Sequence, residues 1–443
     1  MSATDRLKVA VIGAGWAGCA AAVELAAAGA AVTVFESRTT PGGRARRITA
    51  DGRILDNGQH ILLGAYTETL RLMKKTGVNP DTAFLRLPLQ MCYPPGTDGM
   101  AFVASALPAP FHLLGALLKA DGLEMADRIA LARFTSAARW INWTLNEDCA
   151  VTTLLERFGQ TVRLYRLLWK PLCISALNTV PEQASAQVFL SILRDSIGAS
   201  RAASDMLIPR LDFSALFPEP ALAFVRRHGG TVIEGKTVRS LQQTPAGWEV
   251  DGEVFDAVVV AASSSAASAL LSRQMDMARF DALAFEPIHT CYFGYSPDTR
   301  LPRAFFALKD DAQSGKWGQF VFDRGWLDAA HAGIFAVVIS VSSFASALSR
   351  QALETDVARQ LAAELKMPQM AFPLWAQTVS ERQATFVCKP ALVRPEMKSG
   401  QKGLVFAGDY IRSEYPGTLE SAARSGVQAA ACVLAGDWGP GPA

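Results

Sequence analysis

Residues 54–66 read I-L-D-N-G-Q-H-I-L-L-G-A-Y, and Asp56, Asn57, Gly58, Gln59 and His60 interrupt two apolar runs that look like buried strand. An acid, two amides and a histidine are residue types for hydrogen-bond bracing and proton transfer. Imidazole titrates near neutral pH, so it can hold a proton and give it up. His60 is therefore the candidate general acid, with Asp56 and Gln59 as the other catalytic candidates. Asp56 and Asn57 are expected to brace a turn at a strand end, Gly58 to let the backbone pass a bound group, and His60 to face a cavity. A hydrogen-bonded core histidine is the plain alternative. No metal-ligand spacing and no nucleophile motif accompanies them, so no metal is expected.

Upstream, Lys8 to Ile12 reads as a short apolar strand followed at once by G-A-G-W-A-G. Gly13, Gly15 and Gly18 fit the G-x-G-x-x-G spacing, with Ala14, Trp16 and Ala17 between them. Gly13 permits the tight turn, Gly15 lets the backbone approach a pyrophosphate, and Gly18 allows close helix–strand packing. An alanine-rich helix follows to Ala28, Gly29 ends it, and Ala31 to Phe35 makes a second strand with Glu36 at its tip. An acid there accepts hydrogen bonds from a ribose. Strand, glycine turn, helix, strand and acid together predict a Rossmann-type dinucleotide site. At the other end of the chain, G-L-V-F-A-G-D-Y reads as a buried strand ending in Gly408 and Asp409, and T-L-E-S-A-A-R-S-G begins a helix.

The T-T-P-G-G-R-A-R stretch after Glu36, with Gly43 and Arg44, resembles the flavin-binding motif of the amine oxidase and phytoene desaturase superfamily. The resemblance implies FAD, held without a covalent link. Arg44 would approach the flavin and its diphosphate, and Asp409 the ribityl or phosphate region. Thr418, Leu419, Glu420 and Ser421 would lie beside the isoalloxazine, with the helix N-terminus facing it. T-V-I-E-G-K-T-V-R-S-L looks like the hairpin whose valine, here Val238, clasps the adenine through its backbone. Glu36 and Asp409 are almost a chain length apart, so the FAD-binding domain must be discontinuous. No second G-x-G-x-x-G occurs, so electrons are expected to come from a transiently bound donor.

These sites need elements to position them. At 443 residues two interlocked domains are expected. The expected fold is α/β and amine-oxidase-like. Segments 1–81, 215–286 and 381–443 form the FAD-binding domain, and segments 82–214 and 287–380 the substrate domain. The first insert reads as helical, with a long amphipathic run from Asp127 to Asn146. The second, with V-F-D-R-G-W-L and I-F-A-V-V-I-S-V, reads as an antiparallel sheet. A sheet floor with a helical cap would enclose a cavity. Trp140, Trp143, Phe158, Trp169, Phe189, Phe305 and Phe306 each read as core residues, but as a group they suit an apolar tunnel.

Three stretches carry a narrower resemblance, one that runs through nearly the whole chain. D-N-G-Q-H-I-L-L-G-A-Y, W-K-P-L-C-I-S-A-L-N-T from Trp169 to Thr179, and R-Q-A-T-F near Arg382 are similar to the hydroxysqualene dehydroxylases. The family pattern near the flavin is close to P-A-T-I-E-G-A, where this chain has P-G-T-L-E-S-A from Pro416 to Ala422. The resemblance implies reduction of hydroxysqualene, a long apolar isoprenoid, to squalene in hopanoid-type synthesis. Loss of an allylic hydroxyl needs a proton donor, a hydride source such as reduced FAD, and aromatic faces to steady positive charge. A carotenoid-type desaturase would use the same fold in the oxidative direction. An amine oxidase would place an aromatic cage where Thr418 stands, and a mere isoprenoid carrier would not require both FAD ends.

Composition limits the partners. Net charge is +2, which gives no electrostatic case for nucleic acid. Seven scattered cysteines without a C-x-x-C pair suggest reduced thiols in a cytoplasmic protein. The opening M-S-A-T-D-R-L-K is not a signal peptide pattern. Residues 101–118 carry no formal charge, but Pro108, Pro110, His112 and Gly115 make them a poor spanning helix. They read either as a loop and a core helix or as a surface that dips into a bilayer. An extremely apolar substrate favours a peripheral position on the inner face of the cell membrane.

Overall fold

The computed structural model describes residues 6–108 and 111–439, with only the backbone of Leu114. The expectations for residues 1–5 and for Pro110 lie outside the described residues.

A five-stranded parallel sheet carries the nucleotide end. Strand β1 (Lys8–Ile12) lies at its centre, between β2 (Ala31–Phe35) and Ala257–Val260; Thr231–Ile233 and Leu404–Phe406 form the two edges. These strands are nearly continuous apolar runs because both faces are covered, one by the helices Trp16–Ala27, Pro218–Arg227 and Leu419–Ala435, the other by the three-stranded antiparallel sheet Leu241–Thr244, Gly247–Val250 and Glu253–Phe255. Helix α1 (Trp16–Ala27) is half alanine and buried on nearly every side. Its small residues admit the C-terminal helix Leu419–Ala435 at close range. A Cβ on Gly426 of that helix would come 2.1 Å from the Ala17 carbonyl oxygen.

Beside this domain stands a five-stranded antiparallel sheet. Its order is Phe305–Ala307, Phe320–Asp323, Ile334–Ile339, Phe285–Gly294 and Trp375–Phe386. V-F-D-R-G-W-L is strand only as far as Asp323, and Arg324–Trp326 turn away in a 3₁₀ turn. A smaller hairpin, β3 (Arg47–Ala50) with β4 (Arg53–Asp56), bridges the two sheets and ends at the D-N-G-Q-H turn.

The 82–214 insert is less uniformly helical than its sequence suggests. Phe84–Leu87, Gln90–Cys92, Ala101–Val103 and Met206–Pro209 are strands. Runs of three or four residues are too short to display a period, so neighbouring helical patterns swamp them. Residues 101–118 split into a short strand and the helix Phe111–Lys119. The run from Asp127 begins as a helix at Met125, where Glu124 and Asp127 form a capping box. It stops at Trp140, because Asn142 and Trp143 take positive φ of 50° and 58°.

The W-K-P motif has a visible local cause. Tyr165–Trp169 form a π turn just before the helix Lys170–Leu177. Pro171 has no N–H to give the Leu167 carbonyl, and the Tyr93 hydroxyl donates to it instead at 3.1 Å. Trp169 itself is core, packed on Phe134 at 4.5 Å between ring centroids. The motif's far end ties the helices to the floor: the Asn178 side-chain amide donates to the Glu286 carbonyl and to the Thr385 hydroxyl, while its oxygen accepts from the Val341 N–H. The helix Leu419–Ala435 has 17 residues and no helix among the described residues is long and apolar enough to cross a membrane.

Candidate active site

The glycine turn divides into two kinds of position. Gly13 has φ +105°, and a Cβ there would lie 2.7 Å from the Ala261 carbonyl oxygen; one on Gly18 would lie 1.9 Å from the Gly13 oxygen. Both glycines are demanded by the fold. Gly15 is different: its φ is −72°, and a Cβ would meet only the Gly43 Cα, at 3.9 Å. That opening, at the N-terminus of α1 and flanked by the Gly42–Gly43 turn, is a cradle for an anion. Trp16 contributes only backbone there, since its ring is buried against Phe217 and its indole N–H donates to the Ala45 carbonyl. Ala17, at the same helix start, is also buried. Glu36 sits at the tip of β2, where its carboxylate accepts the N–H groups of Ala14 and Arg38 at 2.7 and 2.9 Å.

Val238 departs from expectation. Thr231–Ile233 add to the parallel sheet beside β2, and residues 234–240 do not fold back as the second arm of a hairpin. The nearest hairpin begins later, at Leu241–Thr244 with Gly247–Val250. Val238 is partly buried in the loop between, and Gly235 with φ +72° starts that loop. Alternation in T-V-I and V-R-S-L hides this glycine break.

The two ends of the chain meet through Arg44 and Asp409. The Arg44 guanidinium pairs with the Asp409 carboxylate and also donates to the Gln383 and Ala384 carbonyls, at 3.3 and 2.8 Å. R-Q-A-T-F thus meets Arg44 through its backbone. Burial opposes the Arg44 charge, but Asp409 and Glu381 outweigh it and raise its pKa. Gly417 explains the local departure from P-A-T-I-E-G-A: a Cβ there would press on Asp409 at 2.9 Å and on Thr385 at 3.2 Å. Thr418 caps the C-terminal helix by accepting the Ser421 N–H, and Leu419 is partly buried beside it. The Glu420 carboxylate is turned to another task. It accepts the N–H groups of Glu68 and Thr69, at the start of α2 (Thr67–Thr76), and pairs with Arg424.

One residue had no legible signal. Arg394 is buried and donates to the carbonyls of Asp409, Tyr410, Ile411, Ser413 and Tyr415, so it fixes the whole loop after Gly408. Burial pushes its pKa down to about 10, which leaves it charged at neutral pH. A single arginine between Val393 and Pro395 has no periodic pattern to mark it.

The D-N-G-Q-H turn lies between this ion pair and the floor sheet. Asp56 Oδ1 accepts the Phe213 N–H at 2.9 Å, its other oxygen faces Arg324 at 3.6 Å, and its carbonyl accepts the Tyr292 hydroxyl. Burial pushes the Asp56 carboxyl up to about 6, against the pull of Arg324. Asn57 donates to the Arg44 carbonyl and to Glu381. Asp56 and Asn57 therefore brace the turn. Gln59 is buried, and its Oε1 has no hydrogen-bond partner. The His60 ring packs edge-on against Phe213 at 4.9 Å, and its Nε2 comes 3.4 Å from where a Gly58 Cβ would stand. Burial, and next Arg44, push the His60 imidazole down to about 4. A negative charge seated beside Arg44 works against the second cause and lifts it again.

The chain's resemblance to known proteins follows this geometry. A family model for flavin containing amine oxidoreductases matches residues 16–434. Hydroxysqualene dehydroxylase of Rhodopseudomonas palustris is 30% identical over 96% of this chain and 98% of its own length. The enzyme of that name from Sinorhizobium fredii is 28% identical over 96% and 97%. A probable zeta-carotene desaturase of Synechococcus elongatus is 20% identical over 97% and 98%. Among solved structures, cyclohexylamine oxidase from Brevibacterium oxydans shares the fold with a TM-score of 0.68 at 18% identity, covering 97% of this chain and 99% of that one. A putrescine oxidase does so at 0.69 and 16%, with coverage of 97% and 99%.

Proposed function

This chain belongs to the flavin containing amine oxidoreductases and, within them, to the hydroxysqualene dehydroxylases; from that premise we propose that it reductively removes the hydroxyl of hydroxysqualene to give squalene. The observation that carries the reading is the place of the D-N-G-Q-H turn. It sets a histidine between the Arg44–Asp409 junction and an apolar sheet face.

The cofactor is FAD, and the chain's residues fit it. The open space at Gly15 and the α1 N-terminus take the pyrophosphate, and Glu36 takes the ribose. The loop around Val238 borders the adenine. Asp409 and Arg44 hold the ribityl and diphosphate, with Gly43 allowing close approach. Thr418, Leu419 and the backbone of Glu420 present the N-terminus of a 17-residue helix to the ring. Reduced FAD supplies the hydride.

The chain does the rest. His60 gives the departing oxygen its proton, and the neighbouring floor is apolar, with Leu55, Met206, Tyr292, Phe305, Phe322 and Val338 in one cluster. Such an apolar neighbourhood favours a hydrocarbon chain and keeps water from competing for a cationic centre. Reducing equivalents come from a transiently bound donor.

The protein works at a membrane surface, where its substrate is found. Phe111–Lys119 and Met125–Trp140 are the contact elements. Phe111, Leu118, Met125, Ile129 and Trp140 are more than half exposed, and Arg128 joins the two helices by donating to the Leu118 and Ala120 carbonyls. The functional test mixes anaerobically reduced protein with hydroxysqualene and follows flavin reoxidation together with the product. Squalene formed in step with reoxidation supports the reading. Reduction of oxidised flavin by a saturated isoprenoid, without dehydroxylation, replaces it with the desaturase.

A further inference from the structure

Thr290 lies in the Phe285–Gly294 strand of the floor sheet, opposite Val338 on one side and Val379 on the other. Successive side chains on a strand point to opposite faces. Thr290 therefore shares its face with Ile288 and Tyr292, while Cys291 and Phe293 belong to the apolar cluster behind the sheet. It is 1% exposed, and its Oγ1 has no hydrogen-bond partner.

A buried hydroxyl without a partner is unfavourable, and valine fills the same volume without that cost. Strand propensity also favours valine at such a site. A threonine here calls for something to bond. What faces it is the D-N-G-Q-H turn. A Cβ on Gly58 would stand 3.7 Å from Thr290 Oγ1 and 3.4 Å from His60 Nε2, so both polar atoms border one spot above the Gly58 backbone. The flanking Val338 and Val379 make no hydrogen bonds with their side chains. The spot thus has one hydroxyl and one imidazole at its edge in apolar surroundings.

We propose that Thr290 and His60 form a subsite for an alcohol oxygen, and that Thr290 directly binds the substrate's hydroxyl. This rests on the dehydroxylase reading. Thr290 forms and breaks no covalent bond. Its Oγ1 exchanges hydrogen bonds with the substrate oxygen, holds that oxygen against His60 Nε2, and bonds the water that leaves.

The test compares the holoenzyme with Thr290→Val and Thr290→Ser by equilibrium binding of hydroxysqualene and of squalene, alongside turnover. The parent binds the alcohol in preference to the hydrocarbon. Thr290→Val weakens alcohol binding ~10-fold, leaves squalene binding unchanged and lowers turnover, whereas Thr290→Ser keeps the preference. A merely structural threonine would move both ligands together. If Thr290→Val discriminates the two ligands as the parent does, the subsite is wrong. If Thr290→Val does not fold, Thr290→Ala gives the same readout without the β-branch. Failure of the parent to consume hydroxysqualene overturns the dehydroxylase reading, while the binding preference still decides the role of Thr290.

Discussion

Gly15 is the position where the fold and the ligand make separate demands. Its φ suits any residue and a Cβ finds room, so Gly15→Val is expected to fold with a melting temperature close to that of the parent apo-protein. The added methyls occupy the pyrophosphate space, so the variant should purify colourless, with most of its FAD lost. An unchanged flavin content on absorbance would remove the phosphate assignment. His60 makes the opposite demand, on chemistry and not on binding. His60→Gln should keep the FAD spectrum yet lose ~10²–10⁴-fold in turnover, and a substrate with a better leaving group should partly restore it. Turnover within a few-fold of the parent would shift the acid role to Asp56 or a bound water. The stability signature has a definite sign. The folded His60 refuses a proton until about pH 4, whereas the unfolded chain takes it up near 6.5, so its contribution falls as pH drops through that window. Apo His60→Gln should therefore gain stability relative to the apo parent between those values in urea titrations. Asp56 works oppositely. Its carboxyl stays protonated in the fold up to about 6 against 3.8 when free, and its contribution is lost as pH rises through that range. Asp56 is present in both proteins, so its effect cancels in the comparison.

At the scale of elements, the loop from Asp409 to Tyr415 depends on Arg394. Five carbonyls converge on one guanidinium, a geometry that the point charge of lysine does not reproduce. Arg394→Met should cost ~3 kcal/mol in denaturant unfolding by leaving buried carbonyls unpaired. Arg394→Lys should fold better than Arg394→Met but still hold FAD more weakly than the parent, because Asp409 loses its fixed position. Parent-like FAD affinity in both variants would show that the loop needs no such bolt. No pattern in the sequence announces Arg394 or Thr290: each acts through groups far away in the chain, and neither repeats. Elements with strong local signals were legible. β1, β2 and the helix between them follow from five-residue apolar runs and a glycine turn, and the boundaries Lys8–Ile12 and Ala31–Phe35 are met. The short strands within 82–214 were not, because strands of three or four residues show no period of their own. The hairpin expected around Val238 is absent for a related reason: alternating residues look like a hairpin whether or not the chain turns back.

For the whole molecule, the discontinuity of the FAD site was visible because a motif marks each end, Glu36 near one and Asp409 near the other. The prediction for substrate delivery rests instead on surface that no motif marks. Residues 101–118 were expected to be either a loop and core helix or a bilayer-dipping surface; they form a short strand and a helix with one buried and one exposed face. His112 and Ala116 are buried, while Phe111 and Leu118 on the same helix are 57% and 65% exposed. The next helix repeats the pattern. Phe134 and Ala138 face inward, and Met125, Ile129 and Trp140 face out at 68%, 54% and 91% exposure. Arg133 and Arg139 are also exposed on that helix, which suits an anionic headgroup layer with tryptophan at the interface. Each large side chain taken from water into acyl chains contributes roughly 1.5–3 kcal/mol, so several acting together suffice for reversible attachment without a spanning helix. The protein should therefore float with liposomes containing anionic lipid, and added salt should weaken the attachment through the arginines. The pair Leu118→Glu and Ile129→Glu, placed on side chains already in water, should leave the fold and FAD content unchanged. It should release the protein to the aqueous fraction and slow turnover of membrane-borne hydroxysqualene, while detergent-dispersed substrate is turned over as by the parent. If the parent stays in the aqueous fraction, with or without substrate, the membrane has no part in delivery and a carrier protein must bring the isoprenoid.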